Sequence, residues 1–166
     1  ASCLNLYQPR NPRVLGAPAG FLRSGRFSFA GSVGESANPW MLLDQELPDG
    51  TIPAIGDANS ITYVLHKKLG DEVLVGGRRL RLVAALSHSL FQGELIIAER
   101  NFVRLFPQEP GYRFFLLEAT DAGKLEETLA DYGFDAMPTA DRLAAFDRVE
   151  NTYLSTFQAL GGLGLL

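Results

Sequence analysis

Residues 72–83 read EVLVGGRRLRLV, two apolar runs separated by Gly76 and Gly77. A two-residue glycine loop between such runs is a strong signal for a β-hairpin, because its turn types need positive φ angles that glycine adopts freely. In the second run leucines alternate with arginines, so that Leu80 and Leu82 share one face. This stretch therefore predicts a pair of antiparallel strands joined by a tight turn.

Downstream of the hairpin the pattern alternates between strands and helices. The predicted elements are a strand at 94–97, a helix at 99–106, a strand at 112–117, a helix capped by Thr120 or Asp121 and ending at Tyr132, a strand at 134–137, and a helix from near Ala140. Aromatic and β-branched runs predict the strands, whereas apolar residues at three- and four-residue steps predict the helices. Pro107 and Gly133 stand where the first two helices should end.

Upstream of the hairpin, turn-forming residues dominate. Six of the nine prolines lie within the first 53 residues, which favours loops and short edge strands over long helices. Residues 26–30 alternate with period two and predict a short strand, and residues 40–43 form an apolar cluster that we assign to the core. Residues 60–65 fit a strand by composition or a helix capped by Asp57 or Asn59.

The order of elements predicts an α+β fold in which a small β-rich subdomain with a β-hairpin packs beside a βαβα half-unit. We predict an irregular Pro/Gly-rich segment with short strands at 1–51, the β-rich subdomain at 52–110 and the half-unit, ending in a long helix, at 111–158. Residues 159–166 read ALGGLGLL, with no polar side chain. Eight residues cannot span a bilayer. They are either the first turns of a spanning helix or a buried or loose chain end.

The composition and motifs argue against several classes of function. A net charge of −4 without clustered basic residues argues against nucleic-acid binding. A phosphate-binding loop is lacking, and His66 and His88 fit no zinc spacing. Within Ser87-His88-Ser89, neighbours on a strand would point to opposite faces, so they cannot form a nucleophile–base pair. We therefore predict no catalytic, cofactor-binding or metal-binding residue. A hydrolase that uses His88 or His66 with distant residues is the third-ranked alternative.

Several segments together resemble the extracytoplasmic part of FtsX-like and MacB-like ABC transporter permeases. KKLGDEV at 67–73 and LRLVAAL at 80–86 are similar to a region of that family in which LGD precedes a strand pair. The other similar segments are 89–97, 102–107, 111–115 and the ending at 150–166. The resemblance covers residues 52–166 and rests on the ordered set of segments, because no single motif is specific.

The resemblance implies a non-catalytic domain of an inner-membrane permease that faces the periplasm or the cell exterior. Its partners would be its own transmembrane domain, a cytoplasmic ABC ATPase subunit, and an extracytoplasmic protein, peptide or lipoprotein substrate. A homo-oligomer of the full-length protein is also compatible. On this interpretation residues 111–158 are the second half of a porter-like part, and 159–166 begin a truncated transmembrane helix. No cofactor is implied.

The mechanism that follows is mechanotransmission. A helix that continues into the bilayer is a stiff lever, and we assign coupling to its apolar residues Phe146, Tyr153, Phe157 and Leu160. Partner contact is assigned to the polar–aromatic segment His88, Phe91 and Gln92, with a core role for Phe91 as the alternative. The alternative function is a stand-alone extracytoplasmic module that binds peptide or lipid.

Overall fold

A computed structural model describes residues 12–109, 111–118 and 122–145, and it confirms the predicted α+β class. The chain divides into two compact units, Ala1–Gly111 and Tyr112–Leu166. Residues 12–51 therefore belong to the same unit as the predicted β-rich subdomain.

The first unit is built on a six-stranded mixed sheet. Its strands are β1 (Arg13–Ala17), β2 (Phe29–Ser32), β3 (Ile52–Asp57), β4 (Glu72–Val75), β5 (Arg78–Leu86) and β6 (Glu94–Ala98). The order is β1-β6-β3-β5-β2, and β4 also pairs with β5. The β1–β6 and β3–β5 pairs are parallel, whereas the other pairs are antiparallel.

Short helices connect these strands. They are α1 (Ala19–Arg23), a 3-10 helix (Pro39–Asp44), a π-helical turn (Ser60–Val64) and α2 (Glu99–Leu105). The predictions for residues 94–97 and 99–106 are confirmed by β6 and α2. Residues 60–64 form the π-helical turn, so the helical alternative for residues 60–65 is the correct one. At the start of this turn the carboxylate of Asp57 accepts hydrogen bonds from the backbone N–H groups of Asn59 and Ser60.

The predicted hairpin is confirmed by β4 and β5. Gly76 and Gly77 have φ angles of 55° and 74°, which only glycine adopts at little cost. The nine-residue β5 pairs with β4 at its start and with β2 at its end, while β3 lies along its other edge. The hairpin therefore extends into the centre of the sheet.

An aromatic cluster fills one part of the core. Trp40 is fully buried and its Nε1 donates to the carbonyl of Arg26 at 2.6 Å. Phe21 and Phe29 meet the Trp40 ring edge-to-face, with centroids 4.9 and 5.4 Å away. The core assignment of residues 40–43 holds for Trp40 and Leu43, which are both fully buried, whereas Met41 is exposed.

The strand predicted at residues 26–30 is shifted in the structure, where β2 begins only at Phe29. Phe27 has a φ of 71°, which lies outside the strand region. Its ring packs against Phe91 with a centroid separation of 5.3 Å. The two alternating aromatic residues of this stretch, Phe27 and Phe29, therefore both pack their rings against Trp40, although only Phe29 belongs to a strand.

The second unit contains helices but no strand among its described residues. Helix α3 (Ala122–Leu129) continues into a 3-10 turn (Ala130–Tyr132), and Gly133 ends it in the left-handed conformation at φ 68°, as predicted. Residues 139–145 are helical. The strands predicted at 112–117 and 134–137 are wrong, because neither segment belongs to a β-ladder among residues 111–118 and 122–145. A strand requires a neighbour for its backbone groups, and apolar side chains alone do not provide one.

The remaining predictions for the C-terminal region lie outside the described residues. They are the coupling residues Phe146, Tyr153, Phe157 and Leu160 and the apolar run 159–166. Within the part of the chain that is described, no helix combines the length and apolar character needed to cross a bilayer.

Candidate functional site

The candidate contact residues all lie in one loop, residues 87–93, which connects β5 to β6. The loop leaves the sheet where Leu86 at the end of β5 lies beside Asp57 at the end of β3. The carboxyl ends of two parallel strands thus meet at its base.

The carboxylate of Asp57 anchors this loop. Its Oδ1 accepts hydrogen bonds from the backbone N–H groups of Asn59 at 3.0 Å and Ser60 at 3.3 Å, and its Oδ2 accepts one from Ser89 at 3.3 Å. Asp57 is only 2% exposed. A buried carboxylate is stable only when hydrogen bonds replace its hydration, so the three donors explain its position.

Two buried serines fix the rest of the loop. The Oγ of Ser60 accepts a hydrogen bond from the backbone N–H of Gly93 at 2.9 Å, and the Oγ of Ser89 accepts one from that of Phe91 at 3.2 Å. Together with Asp57, these bonds hold the loop at residues 89, 91 and 93. Hydrogen bonds from its own backbone to buried side chains therefore fix the conformation of this loop.

The three candidate contact residues have different surroundings. The side chain of Phe91 is 3% exposed and belongs to the aromatic core, as the alternative interpretation of this residue describes. Gln92 is half-buried and His88 is exposed. His88 has a φ of 47°, a conformation that non-glycine residues adopt rarely and that the loop hydrogen bonds maintain. Of the three candidate contact residues, only His88 and part of Gln92 are accessible to a partner.

The arrangement contains no recognisable catalytic pair. Within the described ranges neither His66 nor His88 makes a side-chain hydrogen bond, and the hydroxyl of the buried Ser89 is used by the backbone of Phe91. Residues 12–109, 111–118 and 122–145 also contain no group of three or more potential metal ligands. The loop can contact a partner through an imidazole and an amide, but these observations supply no reaction mechanism.

Sequence reasoning missed an ionic cluster beside the hairpin. The Nη2 of Arg81 lies 2.5 Å from Oδ2 of Asp49 and 2.7 Å from Oε1 of Glu72. The signal was available, because a two-residue turn at 76–77 places Glu72 directly opposite Arg81.

The hydrogen bonds of this cluster shift two pKa values. The Thr51 hydroxyl, its backbone N–H and the Arg81 guanidinium lower the pKa of Asp49 to about 2. The hydrogen bond to Glu72, with help from Asp49, raises the pKa of Arg81 above its usual value. The cluster ties the loop before β3 to the hairpin, so its role is structural.

Comparisons of the chain with protein-family models, with curated proteins and with solved structures gave no match in any of the three.

Proposed function

We propose that this chain is a non-catalytic, extracytoplasmic domain of an FtsX-like or MacB-like ABC transporter permease. In this role it couples ATP-driven motion of the membrane part to the handling of a substrate or partner protein. The observation that carries the proposal is the LGD turn at residues 69–71 and the strand pair that follows it. The resemblance to the permease family rests on the same order of turn and strands.

Each residue of the LGD turn has a structural task. Leu69 packs against the hydrophobic core, and Gly70 adopts a φ of 90°. The backbone N–H of Gly70 donates to the carbonyl of Leu82, and the N–H of Leu82 donates to the carbonyl of Asp71, at 2.8 and 3.0 Å. The carboxylate of Asp71 accepts a hydrogen bond from the N–H of Lys68 at 2.9 Å. The turn is thus bonded directly to β5, and a residue change at any of the three positions would disturb the hairpin.

The first unit then acts as a rigid body in the proposed mechanism. Hydrogen bonds join its sheet to the LGD turn through Leu82 of β5 and to the loop of His88 through Asp57 of β3. A rigid body can transmit a displacement without absorbing it, because a packed core resists deformation. Motion of the membrane helices would reach the domain through the lever helix predicted from near Ala140. The domain would thereby change its grip on a partner.

The main test uses the full-length protein. A tandem-proline insertion next to Asn151 breaks the backbone hydrogen bonds of the proposed lever helix. We expect loss of transport together with unchanged co-purification of the ATPase subunit. A tandem-alanine insertion at the same site is the matched control for length and register. Unchanged transport after the proline insertion would contradict the lever mechanism.

The alternative is a stand-alone module that binds peptide or lipid outside the cytoplasm. The observation that favours it is the rigid loop that exposes His88. The coding sequence after Leu166 separates the two proposals. Another dozen apolar residues followed by further spans supports the permease, whereas a stop codon supports the module. If the His88→Ala variant kept full biological activity, His88 would not be needed for partner contact under either proposal.

A further inference from the structure

The turn before strand β3 contains the sequence Asp49-Gly50, two residues that can react with each other. Glycine has no Cβ to shield its backbone nitrogen, so this nitrogen reaches the carboxyl group of a preceding aspartate easily. The nitrogen of Gly50 forms a bond to Cγ of Asp49, and the carboxyl hydroxyl leaves with the amide proton as water. A second water molecule then breaks the bond between this nitrogen and the backbone carbonyl of Asp49, which leaves isoaspartate. Both residues are exposed, so the site is open to water.

We propose that Asp49-Gly50 is a latent site of isoaspartate formation, which the contacts of Asp49 keep unreactive in the folded protein. The product would lengthen the backbone by one methylene group directly before Thr51 and β3, and it would move the free carboxylate onto the Cα atom. The modification would therefore break the ionic cluster that ties this turn to the hairpin. This inference is independent of the permease assignment, because it uses only the contacts of the turn.

Hydrogen bonds hold the attacking peptide group on both sides. The N–H of Gly50 donates to the carbonyl of Leu47 at 3.0 Å, and the carbonyl of Asp49 accepts a hydrogen bond from Nη2 of Arg79 at 3.3 Å. The first bond closes a β-turn in which Pro48 occupies the second position, where its ring fixes φ. Attack requires this peptide plane to rotate toward the carboxyl group and the N–H to lose its proton. Both hydrogen bonds must therefore break before the reaction starts.

A second set of contacts keeps the carboxyl group of Asp49 ionised. Its Oδ1 accepts hydrogen bonds from the hydroxyl of Thr51 at 2.7 Å and from the Thr51 backbone N–H at 3.1 Å, and its Oδ2 lies 2.5 Å from Nη2 of Arg81. These contacts lower the pKa of Asp49 from 3.8 to about 2. Imide formation proceeds through the protonated acid, because a carboxylate resists nucleophilic attack. Near neutral pH the shift reduces the protonated fraction by roughly 60-fold.

The rate of isoaspartate formation in the 166-residue chain tests the proposal. The reference is a synthetic peptide of residues 46–52, which lacks Arg79 and Arg81. After incubation at about pH 6, we expect the chain to form isoaspartate at Asp49 at least about tenfold more slowly than the peptide. Labelling by an isoaspartyl methyltransferase measures the amount, and electron-transfer fragmentation of the tryptic peptide 27–67 locates it. Equal rates in the chain and the peptide would overturn the proposal.

Two substitutions release the carboxyl group of Asp49 without changing the reacting atoms. Arg81→Gln removes the guanidinium, and Thr51→Val removes the hydroxyl. Each should raise the pKa of Asp49 and increase the rate of isoaspartate formation at least about threefold.

The matched control is a substitution that disturbs packing outside this turn. Gly16→Ala places a Cβ atom against Phe102 on β1, a strand that pairs with β6 and not with β3 or the hairpin. It should keep the wild-type rate of isoaspartate formation, and far-UV circular dichroism checks that each variant is folded. A faster rate in Arg81→Gln or Thr51→Val than in this control supports the proposal. If both variants match the control, the contacts of Asp49 do not protect the site and the proposal is wrong.

Discussion

The two units of this protein differ in whether their apolar residues are buried. Every buried apolar side chain among the described residues lies between Pro12 and Ala98, in the first unit. The described side chains of the second unit are all exposed or half-buried, although residues 112–117 are as apolar as β5 or β6. An apolar sequence therefore becomes a buried strand only where neighbouring strands provide hydrogen-bond partners for its backbone. The predictions below test this difference, beginning with the largest expected effect.

The largest effect should come from truncating the same side chain type in each unit. Phe91→Ala removes a ring that is 3% exposed, so we expect the free energy of unfolding to fall by about 3–5 kcal/mol. Phe115→Ala removes a ring that is 56% exposed and should change it by less than about 0.5 kcal/mol. Urea denaturation followed by Trp40 fluorescence measures both. Equal losses would show that the second unit is packed as tightly as the first.

The second prediction concerns the polar anchor of the candidate site. Asp57→Ala leaves the backbone N–H groups of Asn59, Ser60 and Ser89 without their acceptor, which should destabilise the first unit by about 2–3 kcal/mol. Asp135→Ala, at an exposed position of the second unit, is the control and should have little effect. Hydrogen exchange should also show faster opening of residues 89–93 in the Asp57 variant. Unchanged exchange there would contradict the anchoring role.

A smaller effect is expected where helix α2 crosses β1. A Cβ atom at Gly16 would lie 2.7 Å from the Cβ of Phe102, so Gly16→Ala should destabilise the protein by about 1–3 kcal/mol. Gly20 lies in α1 with nothing within 4 Å of an added Cβ. Gly20→Ala should therefore be neutral or stabilising by about 0.4–1 kcal/mol. Thermal unfolding of the two variants compares them. A stable Gly16 variant would mean that α2 can shift away from the sheet.

The smallest effect should be a pH dependence located in the first unit. The pKa of Asp49 is lowered from 3.8 to about 2, so its ionised form is favoured by folding. Its contribution to stability is fully present above the unfolded-state pKa and is lost as the pH falls through the folded-state pKa. The difference in unfolding free energy between the wild type and Asp49→Asn should be constant at neutral pH and shrink between about pH 4 and pH 2.

Urea denaturation at a series of pH values checks this behaviour. Thr51→Val removes the hydroxyl that contributes most to the shift and should move the loss toward higher pH. A difference that does not depend on pH would show that the carboxylate of Asp49 is not held by these hydrogen bonds.

Elements whose signals lie within a few neighbouring residues could be predicted from the sequence. The hairpin follows from Gly76 and Gly77, the end of α3 follows from Gly133, and α2 ends just before Pro107. These features depend on local backbone preferences, and such preferences operate wherever the residues occur. The location of the contact loop and the choice of His88 and Gln92 rest on the same local reasoning and stay predictions.

Pairing between distant segments is what only the tertiary structure decided. Strand β3 contains Pro53 and Gly56, residues that disfavour a strand, yet it is the buried centre of the sheet. Pro53 is tolerated because β6 pairs with β3 only at Ile55 and Gly56, so the proline lies beside β5 alone. Conversely, the strongly apolar residues 112–117 join no ladder within the described part of the chain. The physical reason is that a strand is stabilised by hydrogen bonds to another segment, whereas a turn or a helix satisfies its backbone within its own few residues.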